Sequence, residues 1–198
     1  MRPAWLLRLG LFLYDHLGGR EILPATSSVN LLKDRRGDTL QKRLRKGFAY
    51  SDCWVEDARL VSLIARDAAE RGADIRTRTE CIALKRGADH WNLDIRQNGA
   101  VTTEQARVLV NAAGPWVDPV TAMYDQSGNA AKLRLVKGSH IVVKRKYEGD
   151  HSYIFQNRDG RIIFAIPYEG DYTLIGTTDQ PWSYAEGPAE ISDSEIDY

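Results

Sequence analysis

The chain has 198 residues, of which 43% are hydrophobic and 27% are charged. These values are ordinary for a globular protein and argue against intrinsic disorder. The 27 basic residues equal the 27 acidic residues, so net charge gives no reason to expect nucleic acid as a partner. Cys53 and Cys81 are the two cysteines and form no CxxC pair, and four histidines are scattered, so neither a disulfide framework nor a metal site is predicted.

The N-terminal segment predicts a helix over residues 3–16, because Pro3 suits a first helical turn and Gly18-Gly19 would end it. Apolar residues lie on almost every side of this helix, so we expect it to be buried or to lie at an interface. Arg8 interrupts the apolar run, which argues against a signal peptide. No segment approaches the roughly 20 apolar residues of a membrane-spanning helix. We therefore expect a cytoplasmic location.

The middle of the chain predicts a strand, a helix and then a meander. Aromatic residues favour a strand at 48–55, and regular apolar spacing predicts the clearest helix of the chain at 56–71. Three strands follow, at 74–84, at 91–97 and near Val101. An Asn98-Gly99 dipeptide between the last two is a strong hairpin signal, so a three-stranded meander is the simplest interpretation.

The second half predicts one more α/β unit and then a sheet. A short apolar strand at 106–111 precedes a helix at 116–124. Four strand candidates then follow with turns between them, at 133–145, 152–156, 161–167 and 172–177, and a further helix begins near the C-terminus. This order indicates a mixed α/β fold, in which a nucleotide-binding part is joined to a β-rich part with an antiparallel sheet.

A bend after the strand at 106–111 is the first candidate binding site. Small residues, Ala112, Ala113 and Gly114, would let a ligand approach the backbone closely, and a helix starting at Pro115 offers free N–H groups. A simple tight turn explains the same residues. The 198 residues contain no GxGxxG segment, which a dinucleotide site normally needs for the pyrophosphate. The chain would thus hold the second half of a nucleotide site without the first.

The strand around Gly138 is the second candidate site. His140 has the chemistry of a general base near neutral pH, and Lys137 could meet a phosphate or carboxylate. A hydrogen-bonded structural histidine is the alternative. Two polar residues near later strand ends, Tyr168 and Thr178, could line a substrate cavity, although strand ends are polar by default.

A basic cluster at residues 42–46 has two interpretations. It could touch acidic phospholipid headgroups, or it could be a solvated face.

Eight motifs in this order resemble aerobic, membrane-associated, FAD-dependent glycerol-3-phosphate dehydrogenases. They lie at residues 2–5, 11–17, 50–55, 57–60, 111–116, 137–143, 164–168 and 174–179. The resemblance implies a fold of the D-amino-acid-oxidase type, in which one part binds FAD and an antiparallel sheet covers the substrate. Residues 1–54 would form a substrate-side segment, residues 55–131 part of the FAD-binding domain and residues 132–198 the sheet.

The resemblance also implies roles for single residues. The bend that contains Ala112, Ala113, Gly114 and Trp116 would lie near the dinucleotide, and the strand with Cys81 would pass the adenine through its backbone. His140 matches the active-site histidine of the family. It would take the hydroxyl proton while substrate C2 gives a hydride to the flavin.

The resemblance further implies oxidation of sn-glycerol 3-phosphate to dihydroxyacetone phosphate, with quinone as electron acceptor. A peripheral position on the inner face of the cytoplasmic membrane and a homodimer of the full-length parent would go with that activity. Because the glycine-rich FAD motif and the phosphate-binding basic residues of the family are absent, we expect the chain alone to be inactive. A related amine or amino-acid oxidase, and a truncated non-catalytic product, are the alternatives.

Overall fold

The computed structural model describes residues 2–17, 22–127 and 132–198. The chain divides into two compact units. The first unit comprises Met1–Trp54 together with Val136–Tyr198, and the second comprises Val55–Leu135. Two predicted features, the helix stop at Gly18-Gly19 and the turn near Gly128, lie outside the described residues.

The first unit opens with the predicted helix, α1, which spans Ala4–His16 after an extended Pro3. Although its residues are largely apolar, none of them is buried, and Trp5 is 69% exposed. Burial against the described residues is therefore not observed, and the interface alternative stays a prediction. No helix among the described ranges combines the length and the apolar character that a bilayer-spanning segment needs.

Two short strands complete the N-terminal part of the first unit. β1 (Ser27–Asn30) pairs antiparallel with β2 (Lys46–Ala49), and the sequence had not predicted β1. The predicted strand at 48–55 was wrong beyond Ala49, because β1 provides no partner for the later residues. A strand persists only where its backbone groups find partners in a neighbouring strand.

The second unit begins with the predicted helix, α2, which spans Asp57–Glu70. The expected meander follows as β3 (Thr79–Arg86), β4 (Trp91–Gln97) and β5 (Ala100–Ala106), which pair antiparallel in that order. Both turn residues of the predicted hairpin have positive φ angles, +51° at Asn98 and +82° at Gly99. Such angles match the twist of the flanking strands, which is why Asn-Gly is favoured there.

The predicted strand at 106–111 was wrong, since β5 ends at Ala106 and residues 108–113 have no regular structure. Val108 and Val110 are 74% and 79% exposed, so these apolar side chains do not pack against other described residues as a buried strand would. The expected helix after the bend is present but short. A 3₁₀ turn at Gly114–Trp116 leads into α3 (Val117–Ala122).

The rest of the first unit is the predicted antiparallel sheet. Six strands, a 3₁₀ turn and an α-helix follow in the described part of the chain: β6 (Val136–Lys137), β7 (His140–Lys144), β8 (Tyr153–Gln156), β9 (Ile162–Tyr168), β10 (Tyr172–Gly176), β11 (Gln180–Pro181), the 3₁₀ turn (Tyr184–Glu186) and α4 (Asp193–Asp197). The main sheet has the order β7-β10-β9-β8, and β6 pairs with β11. Thr173 and Ala165 are buried in its centre, where Tyr147 donates a hydrogen bond to the Ala165 carbonyl.

The single strand predicted at 133–145 was wrong, because the chain breaks at Gly138 and Ser139 into β6 and β7. The two parts pair with different strands, β11 and β10. A Cβ atom at Gly138 would run into the Thr177 hydroxyl, so the chain crosses its neighbour too closely for any larger residue. The break places Lys137 and His140 in two different sheets.

Candidate functional site

The bend at residues 111–116 is held by one side chain of the second unit. The Nδ2 atom of Asn111 donates to the Val117 carbonyl at 3.0 Å and to Thr121 Oγ1 at 3.2 Å. Its Oδ1 atom accepts from the N–H of Ala113 at 3.3 Å. Because both N–H donors and the oxygen of the amide are engaged, Asn111 fixes the bend to the start of α3.

The outer side of this bend is open. Ala112 and Gly114 are exposed, and among the described residues no atom outside the two chain neighbours lies within 4 Å of the place where a Cβ of Gly114 would stand. Gly114 has φ of +55°, which favours glycine. Trp116 follows with 62% of its surface exposed. The bend thus offers accessible backbone and one flat aromatic face, an arrangement that fits part of a dinucleotide cofactor.

Cys81 lies in β3 of the same unit, opposite Ile95 in β4. The strand bulges between Cys81 and Ala83, and the thiol points toward the Ala83 carbonyl at 3.8 Å. Burial raises the pKa of this thiol above its usual value, so the sulfur stays protonated at neutral pH. A neutral, partly buried thiol suits a backbone contact better than a reactive role.

His140 is the first residue of β7 and is exposed. It lies opposite Gly176, the last residue of β10. A Cβ atom on Gly176 would stand 2.5 Å from His140 Cδ2 and 2.8 Å from Cγ. The imidazole therefore rests against the bare backbone of Gly176 and remains open to solvent, as a group that exchanges protons with a ligand must be.

Lys137 is the last residue of β6, and Thr178 lies two residues beyond the end of β10, whose last residue, Gly176, pairs with His140. Ser139, between Lys137 and His140, donates its N–H to Thr178 Oγ1 at 2.8 Å and accepts from the Thr178 N–H at 3.3 Å. Thr178 is buried, and the side chain of Lys137 is only 16% exposed. The structure thus brings these predicted residues together, but Lys137 and Thr178 both turn toward a third group.

That third group is the carboxylate of Glu195, whose side chain has no exposed surface. Lys137 Nζ lies 3.0 Å from Oε2, and Thr178 Oγ1 and Ser139 Oγ donate to Oε1 at 2.5 and 2.9 Å. The N–H and the hydroxyl of Ser192 donate to Oε2 at 2.9 Å each. Hydrogen bonds from Thr178 and from the Ser192 backbone hold the pKa of this carboxyl well below its usual range.

The strand register places Tyr168 away from His140 and Glu195. It pairs with Tyr172, which in turn pairs with Lys144 at the far end of β7 from His140. Four residues of strand between His140 and Lys144 correspond to about 13 Å along the sheet. The substrate-binding role of Tyr168 stays a prediction.

Sequence reasoning missed Glu195, Ser139 and Gly176. One signal was present: Ser192 and Glu195 have the Ser-x-x-Glu spacing of a capping box, and they form one at the start of α4. That spacing predicts a helix start. It gives no indication that the carboxylate is buried against β7 and β10.

Three curated relatives match this chain over nearly its whole length. The "D-erythritol 1-phosphate dehydrogenase" of Brucella abortus (strain 2308) is 49% identical over 100% of this chain and 40% of its own length. The "Glycerol-3-phosphate dehydrogenase" of Pseudomonas aeruginosa is 48% identical over 98% of the chain and 37% of its own length. The "Aerobic glycerol-3-phosphate dehydrogenase" of Escherichia coli (strain K12) is 40% identical over 100% of the chain and 39% of its own length.

The chain therefore spans about two fifths of the length of these relatives. The family profile described as "DAO: FAD dependent oxidoreductase" matches residues 4–198. This match confirms the expected fold family and its FAD dependence. The chain belongs to the DAO family of FAD-dependent oxidoreductases.

Proposed function

We propose that the complete protein oxidises a hydroxyl group of a polyol phosphate with FAD, and that sn-glycerol 3-phosphate is the substrate and dihydroxyacetone phosphate the product. The observation that carries this proposal is the exposed imidazole of His140, seated on Gly176. This histidine lies in a chain of which nearly the whole length matches proteins named glycerol-3-phosphate dehydrogenase. A quinone completes the reaction as the electron acceptor.

His140 acts as the general base in this proposal. When the carbinol carbon loses a hydride, the hydroxyl must also lose its proton, or positive charge would remain on the oxygen. A neutral imidazole within hydrogen-bond reach of the hydroxyl takes that proton, and the alcohol becomes a carbonyl. The exposed position at the start of β7 allows such an approach.

The second unit holds the cofactor in this proposal. The backbone of Ala112, Ala113 and Gly114 and the ring of Trp116 would contact it, and the strand at Cys81 would contact the adenine. Bound FAD supplies the hydride acceptor. The support from the structure is the open outer side of the bend and its rigid attachment through Asn111.

The substrate-side roles of Lys137, Thr178 and Tyr168 are also part of this proposal. Their support differs, because Lys137 Nζ and Thr178 Oγ1 already contact Glu195. They would act on the substrate chiefly by shaping the strand end that carries His140. Tyr168 would contact the substrate from the other end of the sheet, away from His140.

A second candidate substrate is D-erythritol 1-phosphate, because the Brucella relative is named for it and is 49% identical to this chain. The two candidates share a phosphate and a neighbouring polyol and differ in length by one carbon. The chain is 48% identical to the Pseudomonas aeruginosa relative, and this value is too close to 49% for sequence identity to decide between the two substrates.

The experiment that tests the part this segment plays in the reaction places these 198 residues into the Pseudomonas aeruginosa relative in exchange for its matching segment. The purified chimera is assayed for flavin reduction with sn-glycerol 3-phosphate, D-erythritol 1-phosphate and a panel of amines and amino acids. We expect reduction by glycerol 3-phosphate, and a loss in kcat of about 10²- to 10⁴-fold in His140→Ala. His90→Ala, in the turn between β3 and β4 of the second unit, is the matched control. Reduction by amines, or full activity of His140→Ala, contradicts the proposal.

We also propose peripheral contact with the inner face of the cytoplasmic membrane and a homodimer of the complete protein. Two features of the first unit support the membrane contact. The basic residues of the cluster at 42–46 are exposed, and the apolar side chains of α1 are exposed. Cationic side chains attract anionic headgroups, and apolar side chains enter the interface.

A further inference from the structure

Three separate segments meet at the carboxylate of Glu195. They are the break between β6 and β7, the segment just after β10 with Thr178, and the start of α4 with Ser192. Both oxygens of the carboxylate are used. Oε1 accepts from Ser139 and Thr178, while Oε2 accepts from Ser192 and lies beside Lys137.

A capping box alone does not explain this arrangement. The helix start needs only the contacts between Ser192 and Glu195, which a solvent-exposed carboxylate can make equally well. Here the carboxylate is turned inward, and Oε1 is used for groups outside α4. Burying a charge is costly unless it is paired and hydrogen-bonded. Lys137 provides the opposite charge, which makes it the counter-ion of Glu195.

Ser139 links the buried carboxylate of Glu195 to His140. Ser139 directly precedes His140, and its hydroxyl, N–H and carbonyl are all bonded, to Glu195 and twice to Thr178. The peptide that leads into His140 is therefore fixed in place. On the other side, the backbone of Gly176 supports the imidazole ring. The orientation of the ring depends on both supports.

We infer that Glu195 is a positioning residue that fixes the His140 imidazole through Ser139 and Thr178. The inference rests on the proposed role of His140 as general base and extends it to a residue that does not touch substrate. It also assigns Lys137 to Glu195 rather than to a substrate phosphate.

The first test needs no activity. In the 198-residue chain, the ring resonances of His140 are recorded by NMR for the unchanged protein and for Glu195→Gln. We expect the His140 signals to shift or broaden while the His90 signals stay unchanged. Asp197→Asn, which removes a charge from an exposed residue of the same short helix, should leave His140 unchanged. If Glu195→Gln does not fold, Ser139→Ala is the milder variant, and it should shift the same signals. Unmoved His140 signals in a folded variant overturn the inference.

The second test is a double-mutant cycle in the chimera with the Pseudomonas aeruginosa relative. We expect Glu195→Gln to lower kcat about tenfold with little change in KM, since a small misplacement of a catalytic group is costly. In the His140→Ala background the same change should have less than about a twofold effect, because residues that act as a unit are not additive. A tenfold loss in both backgrounds would mean a structural role only. If His140→Ala itself retains full activity, the proposed function fails, whereas unchanged kcat in Glu195→Gln alone refutes only the positioning role.

Discussion

Gly176 lies directly opposite His140 in the ladder between β10 and β7, and the imidazole occupies the space that a side chain at 176 would need. A Cβ there would also come within 2.9 Å of the Ser139 carbonyl oxygen. The histidine ring can rotate away from such a contact, but the backbone oxygen can move only with the strand. The absence of a side chain at position 176 is therefore part of how His140 is placed.

We expect Gly176→Ala to displace the His140 ring and to destabilise the first unit by about 1–3 kcal/mol, the usual cost of overpacking. NMR of the His140 ring and urea denaturation measure the two effects. Gly10→Ala in α1 is the control, because among the described residues no atom outside the surrounding helix backbone lies within 4 Å of its added Cβ. That change should leave His140 unmoved and stabilise the helix by up to about 1 kcal/mol. Identical His140 spectra in both variants would contradict the placement.

The sequence predicted those elements that depend on local signals. The helix α2 and the hairpin at Asn98-Gly99 follow from apolar periodicity and turn chemistry, which act over a few residues. The antiparallel sheet of the second half followed in the same way from regular turns.

Features that depend on distant partners could not be predicted. Residues 106–111 are apolar enough for a strand, but a strand also needs a neighbour, and β5 ends at Ala106. The break at Gly138 results from a close crossing with Thr177, which is 39 residues away in sequence. The burial of Glu195 arises in the same manner, because Ser139 and Thr178 approach it only in the folded chain.

Asn111 provides the second prediction, since its amide makes three hydrogen bonds at the bend. Asn111→Ala should destabilise the second unit by about 1–3 kcal/mol, because partly buried partners lose their bonds. In the chimera it should also weaken FAD binding, which fluorescence titration measures. Thr121→Val removes one of the three bonds and should have a smaller effect on both quantities. An FAD affinity unchanged by Asn111→Ala would argue against a cofactor role for the bend.

The hairpin between β4 and β5 gives a third prediction, for stability alone. Gly99 has φ of +82°, a conformation that alanine adopts only under strain. We expect Gly99→Ala to cost about 1 kcal/mol, whereas Asn98→Gly should be nearly neutral because glycine accepts the positive φ at position 98. Thermal unfolding followed by circular dichroism checks both variants. Equal melting temperatures for Gly99→Ala and the unchanged chain would rule out the turn as described.

His151 makes the stability of the first unit depend on pH. Its ring packs against the rings of both Tyr147 and Tyr153, and Nε2 is buried with no hydrogen-bond partner among the described residues. Burial, followed by the nearby Arg36 guanidinium, lowers the pKa of His151 below its ordinary value of 6.5. Below pH 6.5 the unfolded chain therefore takes up this proton more readily than the folded chain, so the free energy of unfolding falls as the pH falls.

We expect His151→Phe to reduce that loss, because phenylalanine has a similar shape and takes up no proton. Urea denaturation at pH 7.5 and at pH 5.5 gives the difference for each protein. His16→Phe, on the exposed face of α1, is the comparison variant and should keep the pH dependence of the unchanged chain. A pH dependence that is the same in His151→Phe would assign the effect to other groups.

Helix α1 carries the last prediction, which concerns the proposed membrane contact. Trp5, Leu9 and Leu13 recur every four residues, so they lie along one face, and they are 69%, 48% and 55% exposed. With the basic cluster at 42–46 in the same unit, they predict binding to vesicles that contain anionic phosphatidylserine. Binding should weaken at high salt, since headgroup attraction is screened.

Co-sedimentation of the 198-residue chain with anionic and with neutral vesicles measures this contact. The double variant Leu9→Ser with Leu13→Ser should lose most of the binding, because less apolar surface enters the interface. Leu32→Ser changes a leucine that is 51% exposed outside the helix and should bind as the unchanged chain does. Equal sedimentation of both variants, or equal binding to neutral and anionic vesicles, would mean that α1 and the basic cluster contact something other than an anionic membrane, such as a second copy of the protein.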